Sequence, residues 1–143
     1  MSRNKSVEIA AYLFILLFVY TATSKFLDLE TFAAQLGRSP MLTMFAEALA
    51  WGLPLTEIGI SILLVFEKTR LVGLYASFSL MTMFTMYIIL ASRFSEYVPC
   101  SCGGVIQTLS WNEHLVLNVA FIGIGVLAVL AYSKSNAKLK RPE

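Results

Sequence analysis

The chain has 143 residues, 57% of them hydrophobic and only 14% charged, with a formal net charge of +2. A soluble domain of this size buries only about 70% of the surface its unfolded chain exposes, and about a quarter of its residues are charged, so the composition excludes an ordinary water-soluble globule. The small net charge leaves no electrostatic footprint for nucleic acid; the expected partner of most of the surface is a lipid bilayer.

Residues 1–6 are polar and include Arg3 and Lys5. Residues 7–23 then run apolar, broken only by Glu8. This is near the lower limit for a spanning helix, since about 20 residues cross a hydrocarbon core about 30 Å thick. The basic start, the apolar run and Thr21-Ala22-Thr23 also fit a secretory signal. The length of the run, and the later spans that need a partner, favour a retained helix. Residues 24–40 are not a span: Phe26, Leu29, Ala33 and Leu36 recur at helical spacing among polar residues, and Gly37 stands where a helix would stop. The pattern predicts a short amphipathic helix in the membrane interface, with a plain connecting loop as the alternative.

A second span is predicted at about 42–66. It carries Glu47, Trp51, Pro54 and Glu57, and Pro54 removes a backbone donor near its middle. Glu67-Lys68-Thr69-Arg70 is a charged turn. A third span follows at about 71–92. Its Tyr75, Ser79, Thr82 and Thr85 share a helical face, which in a membrane usually meets other helices. Residues 93–110 form a loop holding both cysteines, in Pro99-Cys100-Ser101-Cys102-Gly103-Gly104. Ser110-Trp111-Asn112-Glu113 reads as a capping box that opens a last span at about 111–132. Lys134, Lys138, Lys140 and Arg141 form a basic tail. The expected fold is all-α: one membrane domain over 1–143, an integral antiparallel four-helix bundle with a short interfacial helix after the first span.

Four spans put both termini and the charged turn on one side. That side holds eight of the 11 basic residues; Lys25, Arg38 and Arg93 are on the other. The positive-inside rule then places the termini in the cytoplasm and the cysteine loop outside the (bacterial inner) membrane, in the periplasm or cell exterior. Disulfides form and persist there.

A Cys-x-Cys bridge closes almost no loop, so it gains little loop-closure entropy as a structural staple. Its small ring is strained and easily reduced. Pro99 stiffens the approach, and Gly103-Gly104 admits another backbone. Cys100 and Cys102 therefore read as a redox pair. An inert bridge remains open, as does a metal site, although two thiolates fall short of the four ligands a structural zinc takes. His114 lies one turn into the last helix with Asn118 at i+4; it could take a cysteine proton or stabilise a thiolate, or anchor the interface beside Trp111. Lys25 and Glu47 are expected to pair beneath the cysteine loop. Glu57, deeper, is an intramembrane acid and so a functional candidate; its alternative is a structural bond to a neighbouring helix, such as a hydroxyl of the third span.

Ser24-Lys25-Phe26, Leu53-Pro54-Leu55-Thr56-Glu57-Ile58-Gly59 and Cys100-Ser101-Cys102-Gly103-Gly104 resemble the MauE branch of the DoxX-like membrane proteins, over roughly Val7 to Tyr132. The resemblance implies a four-helix membrane protein associated with methylamine utilisation, helping to form disulfides in an exported enzyme beside a periplasmic thioredoxin-like partner. It implies Cys100 and Cys102 as the redox pair, and Lys25 and Glu57 as motif positions. In helix count and in cysteines just before the last span, the chain also resembles quinone-linked disulfide-forming enzymes of the vitamin K epoxide reductase type. A quinone could then lie near His114, Tyr75 or Trp51. The competing functions are a membrane anchor or assembly factor, and a small-molecule or ion carrier using Glu57 and the hydroxyl face.

Overall fold

The computed structural model describes residues 4–38, 43–94 and 111–141. Among them the elements are α1 (Lys5–Leu27), α2 (Leu29–Arg38), a single 3-10 turn (Thr43–Phe45), α3 (Ala46–Val65), α4 (Arg70–Phe94) and α5 (Trp111–Leu139). Four of these helices are long and apolar enough to cross a membrane: Lys5–Leu27, Thr43–Val65, Arg70–Leu90 and Asn112–Leu139. The two end helices are longer than the sequence pattern suggests. α1 continues through Leu27, and α5 continues through the basic residues Lys134 and Lys138 to Leu139.

The long helices form a ring in which each is antiparallel to its neighbours. Thr21 and Phe26 near the end of α1 meet Glu57 and Trp51 of α3. Leu64 near the end of α3 meets Gly73 near the start of α4. Phe78 of α4 meets Gly125 of α5, and Asn4, just before α1, meets the later part of α5, where its Nδ2 donates to the Ala131 carbonyl at 3.2 Å. Asn4 also caps α1, accepting from the Ser6 amide at 3.2 Å, which satisfies one of the donors a helix start leaves orphaned.

The charged turn between α3 and α4 closes by bonding the carbonyls that α3 leaves unpaired at its end. Thr69 Oγ1 donates to the Leu63 carbonyl at 2.8 Å, and Arg70 Nε to the Leu64 carbonyl at 3.1 Å. The guanidinium also sits where the helix dipole is negative. Two features make the turn tight. Gly73 has no side chain to collide with Leu64, and Leu64 is wholly buried.

The core runs along the inner faces of the ring through Phe14, Phe18, Ile60, Leu64, Leu74, Met81 and Ala128. Phe14 stacks on Phe18 at 5.9 Å between ring centres and meets Phe121 edge-on at 5.4 Å. Gly125 gives it room, since a Cβ there would lie 3.4 Å from the Phe14 ring. The outer faces carry exposed Leu16, Ile62, Val72, Met83, Val116 and Leu127, which is how a bundle solvated by lipid differs from a soluble one.

α2 keeps its predicted place after the first span and turns its apolar stripe onto α3. Phe32 and Leu36 are buried against Ala50, with Leu29 and Ala33 partly so. The hydroxyl stripe of α4 is not a common helix-facing surface. Tyr75 and Ser79 are exposed, Thr82 is half-buried and only Thr85 is buried. The hydroxyls of Ser79, Thr82 and Thr85 donate to carbonyls four residues back in the same helix, at 2.8–2.9 Å. They are satisfied without a partner helix, which is the ordinary way a hydroxyl is accommodated in lipid.

Candidate functional site

The polar interior of the bundle is built from two i, i+4 pairs on antiparallel helices. Thr21 and Lys25 share one face of α1 near its end, and His114 and Asn118 share one face of α5 near its start. Because residues four apart lie over one another on a helix, both pairs point into the ring at the same level. Glu57 of α3 meets the α1 pair directly and shares a cavity with the α5 pair.

Lys25 Nζ donates to Glu57 Oε1 at 2.5 Å. Both side chains are enclosed, with 3% and 1% of their surface exposed. The Thr21 hydroxyl stands 3.2 Å from Glu57 Oε2 and 3.2 Å from its own Phe18 carbonyl, with one proton to share between them. The Lys25 ammonium also lies 5.6 Å from the Phe32 ring centre and 5.5 Å from that of Phe84. Phe32 comes from α2 and Phe84 from α4, so the cation is covered by π faces from two further elements. This explains how a lysine in the last turn of α1 is enclosed by protein.

Lys25, Glu57, Thr21, His114 and Asn118 line one small cavity of about 30 Å³, whose remaining wall is Leu17, Phe18, Met81, Phe84 and Leu117. His114 and Asn118 are buried at 3% and 5% exposure. The Asn118 amide nitrogen has no hydrogen-bond partner among the described residues.

The expected Lys25–Glu47 pair does not form. Glu47 is exposed in the first turn of α3. Ten residues, or about 15 Å of helix, separate it from Glu57, so one lysine cannot serve both, and the contact of Phe26 with Trp51, 6.2 Å between ring centres, fixes the register that favours Glu57. The partners of Glu57 come from α1, not from a hydroxyl of the third span. His114, Tyr75 and Trp51 do not converge on a common site. Trp51 and Tyr75 are exposed on different helices, and Tyr75 lies six residues before Met81, the first residue of α4 to reach the cavity.

Thr21 and Phe32 are contacts of the buried ion pair that pattern reading missed. The signal for Thr21 was its i−4 relation to Lys25. Phe32 had none, because its role depends on how α2 folds back. Cys100 and Cys102 lie outside the described residues, as does Ser110 of the expected capping box. The connection that carries the cysteines leaves α4 at Phe94 and enters α5 at Trp111, the end of the bundle at which Lys25, Phe84 and His114 meet.

No curated protein matches the chain, and no solved structure does. The model of one family, methylamine utilisation protein MauE, matches residues 3–131. That match takes in three of the long helices, α5 as far as Ala131, and both members of the buried ion pair, so this integral membrane protein belongs to the MauE family.

Proposed function

We propose that this protein is a membrane thiol–disulfide redox protein. Cys100 and Cys102 exchange with a thioredoxin-like partner, supporting disulfide formation or maturation of an exported enzyme of the methylamine-utilisation kind. One exchange balances by itself, and a second carrier, a partner protein or a membrane quinone, restores the starting state. A dithiol on the partner gives two electrons and two protons, its disulfide forms, and the Cys100–Cys102 disulfide opens to two thiols; the reverse reaction reduces the partner.

The observation that carries this reading is the pairing of a lone Cys-x-Cys with the connection between α4 and α5 in a MauE-family bundle. That connection joins the bundle beside its buried polar cluster. The charge asymmetry supports an outward-facing connection: of the three basic residues assigned to that side, Lys25 is neutralised inside the bundle by Glu57. Only Arg38 and Arg93 remain there, against eight on the other side, and the positive-inside rule then puts the termini in the cytoplasm.

Trapping tests the reading. In membranes holding the thioredoxin-like domain in its disulfide form, Cys100→Ser or Cys102→Ser is expected to leave one thiolate that attacks that disulfide, releases one partner thiol and accumulates a mixed disulfide, while the variant lacking both forms none. A membrane anchor forms no adduct in any variant. Unchanged partner oxidation in both single variants would remove the proposal.

A further inference from the structure

The cavity beside the Lys25–Glu57 pair has a chemistry that thiol exchange does not use. Its volume of about 30 Å³ is roughly a tenth of the smallest small-molecule sites, which run from about 300 Å³. A ring-bearing cofactor does not fit. A water needs about 10–15 Å³ of such space, so the cavity has room for two.

The walls also carry the partners a water requires, which number two to four in buried sites. The Asn118 amide nitrogen is a buried donor without an acceptor among the described residues, and buried donors in native proteins are almost always satisfied, often by water. Glu57 Oε1 accepts from Lys25 and Oε2 faces Thr21, which leaves each oxygen with a lone pair to spare. The His114 ring borders the same space. Among the described residues, the charged or titratable groups facing the cavity are Lys25 from α1, Glu57 from α3 and His114 from α5. α4 presents only Met81 and Phe84.

We propose that this cavity is an internal-water site, held by Asn118, that joins the Lys25–Glu57 pair to His114 and passes protons between them. A proton moves from the water to one neighbour as another neighbour protonates the water. No electron moves and nothing is consumed. If the thiol reading of the previous subsection holds, on which this last step alone rests, His114 is the end of the relay nearest in sequence to Cys102, and the relay can take a proton released as a thiolate forms.

The test uses the full chain in lipid nanodiscs and reads the water directly. X-ray radiolysis in ¹⁸O-water oxidises side chains that touch bound water. Met81 is 4% exposed and walls the cavity, whereas Met83 is 68% exposed on the lipid side of the same helix. Met81 is expected to take up ¹⁸O severalfold faster than Met83, and Asn118→Leu is expected to abolish that difference. The wild-type comparison needs no variant, so it decides even where Asn118→Leu fails to fold. Proton transfer is read separately at His114, the chain's one histidine, whose ring N–H signal stands alone in histidine-labelled NMR. Saturation transfer from water to that signal is expected to fall severalfold in Asn118→Leu. Equal labelling of Met81 and Met83 overturns the water site, and unchanged saturation transfer in the variant overturns the relay. Neither readout involves thiol exchange, so their failure is distinct from failure to trap a partner.

Discussion

Removing one member of the Lys25–Glu57 pair should cost far more than removing both. Lys25→Met keeps the apolar stem between Phe32 and Phe84 but leaves the Glu57 carboxylate, 1% exposed, without its cation. Breaking a buried pair from one side costs about 3–5 kcal/mol, because the remaining charge stays buried and uncompensated. Solvent screening, which discounts surface pairs, offers no relief at this depth. At about 2–4 °C per kcal/mol for a chain of this size, the loss corresponds to roughly 6–20 °C in midpoint. Glu57→Leu strands the Lys25 ammonium in the same way. The double variant Lys25→Met/Glu57→Leu leaves no charge behind, and replacing a buried pair by apolar residues of similar volume is often neutral or stabilising. Thr21 is not stranded either, since its hydroxyl already lies within reach of the Phe18 carbonyl, at 3.2 Å. The assay is reversible unfolding in mixed micelles, followed by far-UV circular dichroism, for the wild type, both single variants and the double. The double variant should recover most of both losses. Losses that simply add, with the double variant as unstable as the two singles together, would refute the reasoning.

The same assay checks four smaller effects. Gly73→Ala should destabilise by about 1–3 kcal/mol through overpacking, because its Cβ would fall 2.9 Å from Leu64 Cδ2 and 3.1 Å from the Leu64 backbone nitrogen. Gly59→Ala, with nothing within 4 Å of the added carbon, should leave stability unchanged or raise it by up to about 1 kcal/mol. Glu47→Gln should change stability by no more than about 0.5 kcal/mol, in contrast to any neutral replacement of Glu57, since Glu47 is exposed. Phe84→Leu should lose about 0.5–2 kcal/mol of cation–π attraction, and the part owed to the cation should vanish in a Lys25→Met background.

The helices were legible because lipid imposes a length on them. Apolar runs long enough to span, bounded by Arg3 and Lys5, by Glu67 to Arg70 and by Lys134 to Arg141, left little freedom in where the spans fell. The boundaries that slipped did so for a stated reason. The apolar run that marks the first span stops at Thr23, yet the structure neutralises Lys25 inside the protein and the helix continues to Leu27. The Glu47 pairing failed on the same point. Lys25 and Glu47 both lie toward the same outer side of the membrane, but α2 folds over the end of α1 and covers Lys25 with Phe32. That displacement is a tertiary fact with no periodic signature. Asn118 and His114 were found from their i, i+4 spacing alone, whereas the cavity they share with α1 and α3 depended on an antiparallel register that no single helix encodes.

Register is where the polar cluster acts on the fold. Among lipid tails, apolar side chains gain little by moving from lipid to protein, so burial alone discriminates poorly between one alignment of two helices and the next. Shape and polar contacts must do it. A slide of α1 along α3 by one turn, about 5.4 Å, separates Lys25 from Glu57 and leaves two charges unpaired where each costs several kcal/mol. The same slide pulls Asn4 from the Ala131 carbonyl and Phe14 from the space at Gly125. Three contacts spaced along α1, at its start, middle and end, therefore agree on a single alignment. The agreement places His114 and the entry to the cysteine-bearing connection beside the ion pair, so the contact that sets the register also positions the site.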